Sequence, residues 1–179
     1  MPLTVVAGEE VDDIELISNN TPPEDRPDRL DALGDDNTVL YEFAGGFVFP
    51  FAGKVFGSVH VNSDGNLTFL EGDDDSTPRD LGRIFGLFGD LPLPRIAPLF
   101  TDLDSGQSGE IRAIPLPGQI TFEWDQVPEF SISEDPSPGN SFSVTLFSTG
   151  DIDFLYEDIQ VTADSDGVQV VTGVFPGFF

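Results

Sequence analysis

Apolar and polar residues alternate with a period of two over short runs of the chain. This pattern predicts β-strands, because successive side chains of a strand point to opposite faces of its sheet. Eight runs are expected to form strands: Val39–Phe43, Lys54–Val61, Asn66–Phe69, Ile111–Ile114, Gln119–Trp124, Ser141–Phe147, Ile152–Tyr156 and Val168–Val174. Only Pro78–Phe85 indicates a helical turn. We therefore predict an all-β fold, an antiparallel β-sandwich with long acidic and Pro/Gly-rich loops.

The first 37 residues depart from this pattern. Two apolar runs, Leu3–Val6 and Val11–Ile17, resemble strands but precede a polar stretch with three prolines. That composition is typical of an extended spacer. We predict a division between an N-terminal strand with its proline-bearing spacer, residues 1–37, and a sandwich domain, residues 38–179. The N-terminal strand either folds back onto its own sandwich or is donated to a neighbouring molecule, and the sequence leaves both open.

Self-association through the N-terminal strand is the partner that we predict. An extended segment can add to an open sheet edge, and repeated head-to-tail addition produces a linear fibre. A second apolar segment, with three Phe among residues 175–179, is covered either within the molecule or at the same junction. The predicted interface residues are Leu3, Val5, Ile14, Leu16, Phe175, Phe178 and Phe179.

The charge of the chain excludes several classes of partner. Lys and Arg number 7 against 33 Asp and Glu, which gives a formal net charge of -26. Such a charge repels nucleic acid and anionic membrane surfaces. No run approaches the roughly 18 apolar residues that span a bilayer, so membrane insertion is not expected. The chain has no Cys, which removes disulfides and thiolate metal sites.

Calcium is the cofactor that this acidity favours, because hard cations bind carboxylate and carbonyl oxygens. The candidate ligands are Asp102, Asp104 and Glu110 around a Gly-rich loop, and Asp164 and Asp166 in a second loop. Asp35–Asn37 and Asp73–Asp75 are further acidic loops. The loop that begins at Asp102 does not have the spacing of an EF-hand, because Gln107 and Ala113 stand where that motif has Gly and Glu. The alternative is that these loops are solvated turns that give solubility. If calcium binds, replacing Asp102 and Asp104 by Asn should remove most of its stabilising effect.

Two further kinds of site have weaker sequence signals. Asn19 and Asn66 begin N-glycosylation sequons, which require a surface position and allow glycans as a modification. The single histidine, His60, lies in a predicted strand with no Cys or nucleophile motif to act with. Acidic residues are so numerous that no one carboxylate pair is informative. We predict no catalytic site.

Four blocks of the sequence, in order along the chain, resemble nidogen-like extracellular domains. They are Phe47–Phe69, which begins Phe-Val-Phe-Pro-Phe; Pro94–Asp104, which contains Ile-Ala-Pro-Leu-Phe-Thr-Asp-Leu-Asp; Ile120–Phe130; and Asn140–Phe147. Phe100 stands where these domains often have Trp. The resemblance extends from Thr38 onwards and leaves out the first 37 residues. It implies a β-rich, non-catalytic module of secreted or cell-surface proteins, here expected to be bacterial.

The leading functional hypothesis is a non-catalytic structural subunit or module of an extracellular assembly, on a cell surface, in a matrix or in a fibre. In this hypothesis the chain polymerises by N-terminal strand addition. The alternative is a calcium-dependent adhesin or ligand-binding module that acts as a monomer through its loops. A third class, an enzyme from a salt-rich environment, fits the acidity but has no catalytic constellation in the sequence.

Overall fold

The computed structural model describes residues 29–30, 33–76, 78–86, 92–131, 138–161 and 170–177. Within these ranges the chain forms eleven strands and one short helix. They are β1 (Thr38–Glu42), β2 (Phe49–Phe51), β3 (Lys54–Phe56), β4 (Ser58–Asn62), β5 (Asn66–Thr68), α1 (Leu81–Ile84), β6 (Arg95–Phe100), β7 (Glu110–Leu116), β8 (Gln119–Pro128), β9 (Gly139–Phe147), β10 (Ile152–Asp158) and β11 (Val171–Phe175).

Two antiparallel sheets pack face to face. One has the strand order β1-β4-β5-β6-β11 and the other β10-β9-β8-β7, while β2 and β3 form a separate hairpin. Every strand pair is antiparallel. The predicted fold class, an all-β antiparallel sandwich, is confirmed.

Alternation along β8 shows why these residues form a half-buried strand. Ile120, Phe122 and Trp124 are buried, whereas Thr121 and Glu123 between them are only half-buried. The Trp124 ring stacks on Phe142 of β9, with ring centroids 5.1 Å apart. Burying a large apolar side chain contributes about 1.5–3 kcal/mol. One face of this sheet therefore supplies much of the core.

The predicted strand Lys54–Val61 is two strands rather than one. Gly57 separates β3, which pairs with β2, from β4, which pairs with β1 and β5. The pattern also missed β6, because all six residues of Arg95–Phe100 are buried and no alternation is left to detect.

Contacts between the two sheets show which of their edge strands lie on the same side of the sandwich. On one side, the Tyr156 hydroxyl of β10 and the Thr172 hydroxyl of β11 both donate to the Pro98 carbonyl of β6, at 2.7 and 3.0 Å. Towards the other side, Tyr41 of β1 packs edge-on against Phe122 of β8, with centroids 5.4 Å apart. Strands β10 and β11 thus share one lateral side, and β1 and β7 lie on the opposite one.

The chain already contacts the sandwich before β1. Arg29 forms an isolated antiparallel bridge with Arg112 of β7, and the Leu30 N–H donates to the Ile111 carbonyl at 2.9 Å. Leu33 is buried in the core between the sheets. Arg29, Leu30 and Leu33 of the predicted spacer are therefore packed against the domain. The division at residue 37 stays a prediction.

The turn between β4 and β5 depends on a close backbone approach at Gly65. Its φ of +67° is in the left-handed region, and a Cβ added there would lie 2.1 Å from the Leu99 carbonyl oxygen. Gly118 has a similar φ of +78°, but its Cβ would meet nothing closer than the Ser148 hydroxyl at 3.7 Å. The two glycines thus share a conformational requirement and differ in available space.

We predict that Gly118→Ala costs about 1–2 kcal/mol of unfolding free energy, the penalty of a left-handed L-residue. Gly65→Ala should cost about 1–3 kcal/mol more, because its methyl group must displace packed backbone. Urea unfolding of both variants measures the difference. Equal losses would show that the approach to Leu99 imposes no constraint.

Candidate functional site

Three buried arginines lie between the five-stranded sheet and the loop that joins β5 to β6. Arg79 and Arg83 come from that loop, and Arg95 begins β6; we call these three residues the arginine cluster. Their side chains are only 7%, 7% and 4% exposed. Asp80 caps α1 by accepting from the Arg83 N–H at 3.0 Å, which fixes the turn that carries Arg83. Buried charges of this kind require ionic partners.

Asp73 holds two of these arginines. Its carboxylate lies 2.5 Å from an Arg95 Nη atom and also pairs with Arg83. The Arg95 guanidinium further donates to Asn66 at 2.7 Å and lies over the Phe100 ring, 4.7 Å from its centroid. Burial by itself raises the pKa of Asp73, but the attraction of Arg95 and Arg83 outweighs burial and leaves the pKa lowered.

Arg79 connects three acidic segments. Its Nε donates to Asp64 of the β4–β5 turn at 2.8 Å, and an Nη atom lies 2.9 Å from Asp102 and also contacts Asp36. Burial raises the pKa of Asp64 to about 7, against the lowering effect of Arg79 and Arg83. The pKa of Arg79 is raised by these carboxylates despite its own burial. Arg79 is therefore a permanent cation held among acidic loops.

Asp35, Asp36 and Asp102 are the three acidic residues whose ligand atoms lie within 4.8 Å of one another in the described part of the chain. We call them the acidic trio. Burial, followed by repulsion from neighbouring carboxylates, raises the pKa of Asp35 to about 6. Burial likewise raises the pKa of Asp102. The trio has the oxygen chemistry that calcium prefers, but Arg79 already neutralises part of its charge.

The predicted ligands of the Gly-rich loop have separate surroundings. Asp102 joins the acidic trio, whereas Asp104 accepts from the Gly106 N–H at 2.7 Å and from the Gln107 side chain at 3.0 Å. Glu110 lies 3.7 Å from Arg112 of the same strand. The loop Asp35–Asn37 was identified as acidic in the sequence, but nothing in the sequence pairs it with Asp102. Asp164 and Asp166 lie outside the described residues.

Asn66 does not have the surface position that its glycosylation sequon requires. It is fully buried, and its side chain accepts from Asn62 at 2.9 Å and from Arg95. Asn19 lies outside the described residues. His60 faces away from the buried Val59 and Val61, and burial lowers its pKa.

Phe175 is the one predicted interface residue within the described part of the chain. It is half-buried, packs against a small core cluster that includes Ala97 and Phe100, and meets Phe85 edge-on at 6.2 Å. The other predicted interface residues lie outside the described residues: Leu3, Val5, Ile14, Leu16, Phe178 and Phe179.

Comparison with known proteins gives one family match. A family model described as NIDO related matches residues 23–174. No curated protein and no solved structure matches the chain. Among the residues that the structure describes, no helix has the length and apolarity to cross a membrane.

We predict that Asp73→Asn lowers the unfolding free energy by about 3–5 kcal/mol at pH 7, because it leaves Arg95 and Arg83 buried without their shared anion. Asp74→Asn is the matched control, since it removes the same charge from the exposed neighbouring position.

The same pair of variants has a defined pH dependence. A lowered pKa means that the stabilisation by Asp73 is present above its unfolded value of 3.8 and is lost as the pH falls through the folded pKa. Asp74→Asn keeps Asp73, so its unfolding free energy, measured in urea between pH 7 and 3, should fall more steeply on acidification than that of Asp73→Asn. Parallel curves would contradict the role assigned to Asp73.

Proposed function

Because the chain belongs to the NIDO-related family, whose domains are extracellular and non-enzymatic modules, we propose that it is a structural subunit of an extracellular assembly. In this proposal the copies associate when the N-terminal strand of one molecule adds to an open sheet edge of the next.

The observation that carries this proposal is that both sheets are open. The outer strands are β1 and β11 in one sheet and β10 and β7 in the other, and no described strand pairs with their outer sides. An open edge presents unpaired backbone N–H and C=O groups, which bind an extended segment by strand addition. Leu3–Ile17 supplies such a segment, with β-branched and apolar residues at strand spacing.

The arginine cluster supports a structural role for the conspicuous charged residues. Arg79, Arg83 and Arg95 are used in contacts with aspartates of the same molecule, and these contacts tie the β5–β6 loop to the sheet. Charges buried in this way fix the arrangement of loops. These contacts thus account for three buried cationic side chains without a substrate.

We predict that a chain lacking residues 1–20 sediments as a monomer under conditions where the full chain forms oligomers, because the donated strand is gone. The synthetic peptide Leu3–Ile17 should bind the truncated chain, and a peptide of the same composition in scrambled order should not. The proposal fails if the truncated chain forms the same oligomers as the full chain.

A calcium-dependent adhesin is the second candidate, and the acidic trio favours it. The carboxylates of Asp35, Asp36 and Asp102 converge, and the raised pKa of Asp35 reflects in part the mutual repulsion that a bound cation relieves. In this function the acidic loops bind a ligand through calcium, and the molecule works without strand addition.

We predict, for this second function, a higher melting temperature in millimolar calcium than in EDTA at matched ionic strength. A calcium concentration 100 times the dissociation constant adds about 2.7 kcal/mol to the unfolding free energy. Asp35→Asn should remove the shift, whereas Asp74→Asn should keep it. Because the pKa of Asp35 is about 6, protons compete with calcium and the shift should shrink below that pH. Identical melting temperatures at pH 7 would rule out the calcium-dependent function.

A further inference from the structure

We infer that the acceptor for strand addition is the outer edge of β11, and that its occupant is the segment Leu3–Ala7 of a second copy of this chain. This inference rests on the proposed function and names the surface that it uses. The evidence comes from the charge of each open edge and from where the chain enters the sandwich.

The edge of β7 is the least suited to accept another strand. Arg29 and Leu30 already lie along it, through the bridge to Arg112 and the hydrogen bond to the Ile111 carbonyl. Beyond these contacts, Pro115 of β7 has no N–H to donate. The remaining part of the β7 edge therefore cannot form a complete set of backbone hydrogen bonds with an added strand.

Acidic residues lie along β10 and on both sides of the uncharged part of β1. Strand β10 and the residue before it contain Asp151, Asp153, Glu157 and Asp158, and β1 ends at Glu42 shortly after the acidic residues Asp35 and Asp36. The N-terminal segment has four acidic residues between positions 9 and 13. Like charges placed on paired strands are destabilising. In a chain of net charge -26, acidic edges therefore repel a second copy.

The edge of β11 differs from the other three in having no charge. Residues 170–177 contain no acidic or basic side chain, and Val174 is 45% exposed. The first eight residues of the chain are also uncharged and include Leu3, Val5 and Val6. Pairing Leu3–Ala7 with β11 joins the two uncharged strand-like segments and keeps the acidic residues that follow outside the ladder.

The point at which the chain enters the sandwich favours a second copy over the same molecule, because pairing within one molecule has to carry the segment across the full width of the sandwich. The chain enters the sandwich at Arg29 beside β7, on the lateral side opposite β11. The 21 residues between Ala7 and Arg29 extend to about 70 Å at ~3.3 Å per residue, enough to reach a neighbour. Because the donated segment and the accepting edge are different parts of the chain, the contact between copies is heterologous and repeats head to tail.

The absence of Cys allows a direct test by disulfide crosslinking. Chains with Val5→Cys or Thr4→Cys, which cover both faces of the donor strand, are mixed with Val174→Cys chains and oxidised. We expect disulfide-linked dimers of the two different chains. Leu155→Cys on β10, where Leu155 is 56% exposed, is the matched acceptor control and should yield none. A crosslink to Leu155→Cys, or none to Val174→Cys, overturns the inference.

A double variant separates the second copy from the same molecule. A chain with both Val5→Cys and Val174→Cys is oxidised at high dilution. If the disulfide forms mainly within one molecule, and the mixed chains give no dimer, the choice of a second copy is overturned.

Val174→Asp in the otherwise native chain should weaken assembly at least tenfold in sedimentation, and Leu155→Asp should leave it unchanged. If removal of residues 1–20 abolishes assembly but Val174→Asp does not weaken it, the acceptor is wrong and strand addition stands.

Discussion

The pairing of Asp73 with Arg95 and Arg83 is the interaction on which the loop structure of this sandwich depends. Antiparallel strands are held by their own ladders, but the described part of the segment between β5 and β6 has one short helix of four residues and no strand. Its position is set by guanidinium groups that reach into the sheet. Two charges taken out of water cost several kcal/mol each, so this arrangement is stable only when their counter-ions come with them. The acidic partners are therefore structural residues as much as the apolar core.

The strands were predictable from the sequence to the degree that one of their faces is polar. In β8 and β9 apolar and polar side chains alternate, and this pattern predicts both strands directly. In β6 both faces are covered, and Arg95 is buried beside Phe100 rather than exposed. A run of this kind looks the same as any apolar segment interrupted by proline. The break at Gly57 could not be predicted either, because the alternation of apolar and polar residues continues from β3 into β4 although the two strands belong to different sheets.

The candidate site was less predictable, because it is made by contacts between residues far apart in the chain. Asp36 and Asp102 meet through Arg79, and no spacing rule connects these three positions. Asn66 illustrates the same limit: three residues define a sequon, but burial beneath Arg95 depends on the whole sheet. Local sequence indicates which side chains have suitable chemistry. Which of them converge is decided by the topology.

The arginine cluster also affects the charge of the molecular surface. Of the seven basic residues, three are buried in the cluster, and a fourth, Arg112, is paired with Glu123 and Asp125 at the β7–β8 hairpin. Few cations are left to offset an outer surface dominated by carboxylates. The field around each molecule is consequently repulsive towards another copy over about a Debye length, roughly 8 Å at physiological ionic strength. Ionic strength thus acts as a control on close approach, and dissolved salt performs at the surface the neutralisation that the arginines perform inside.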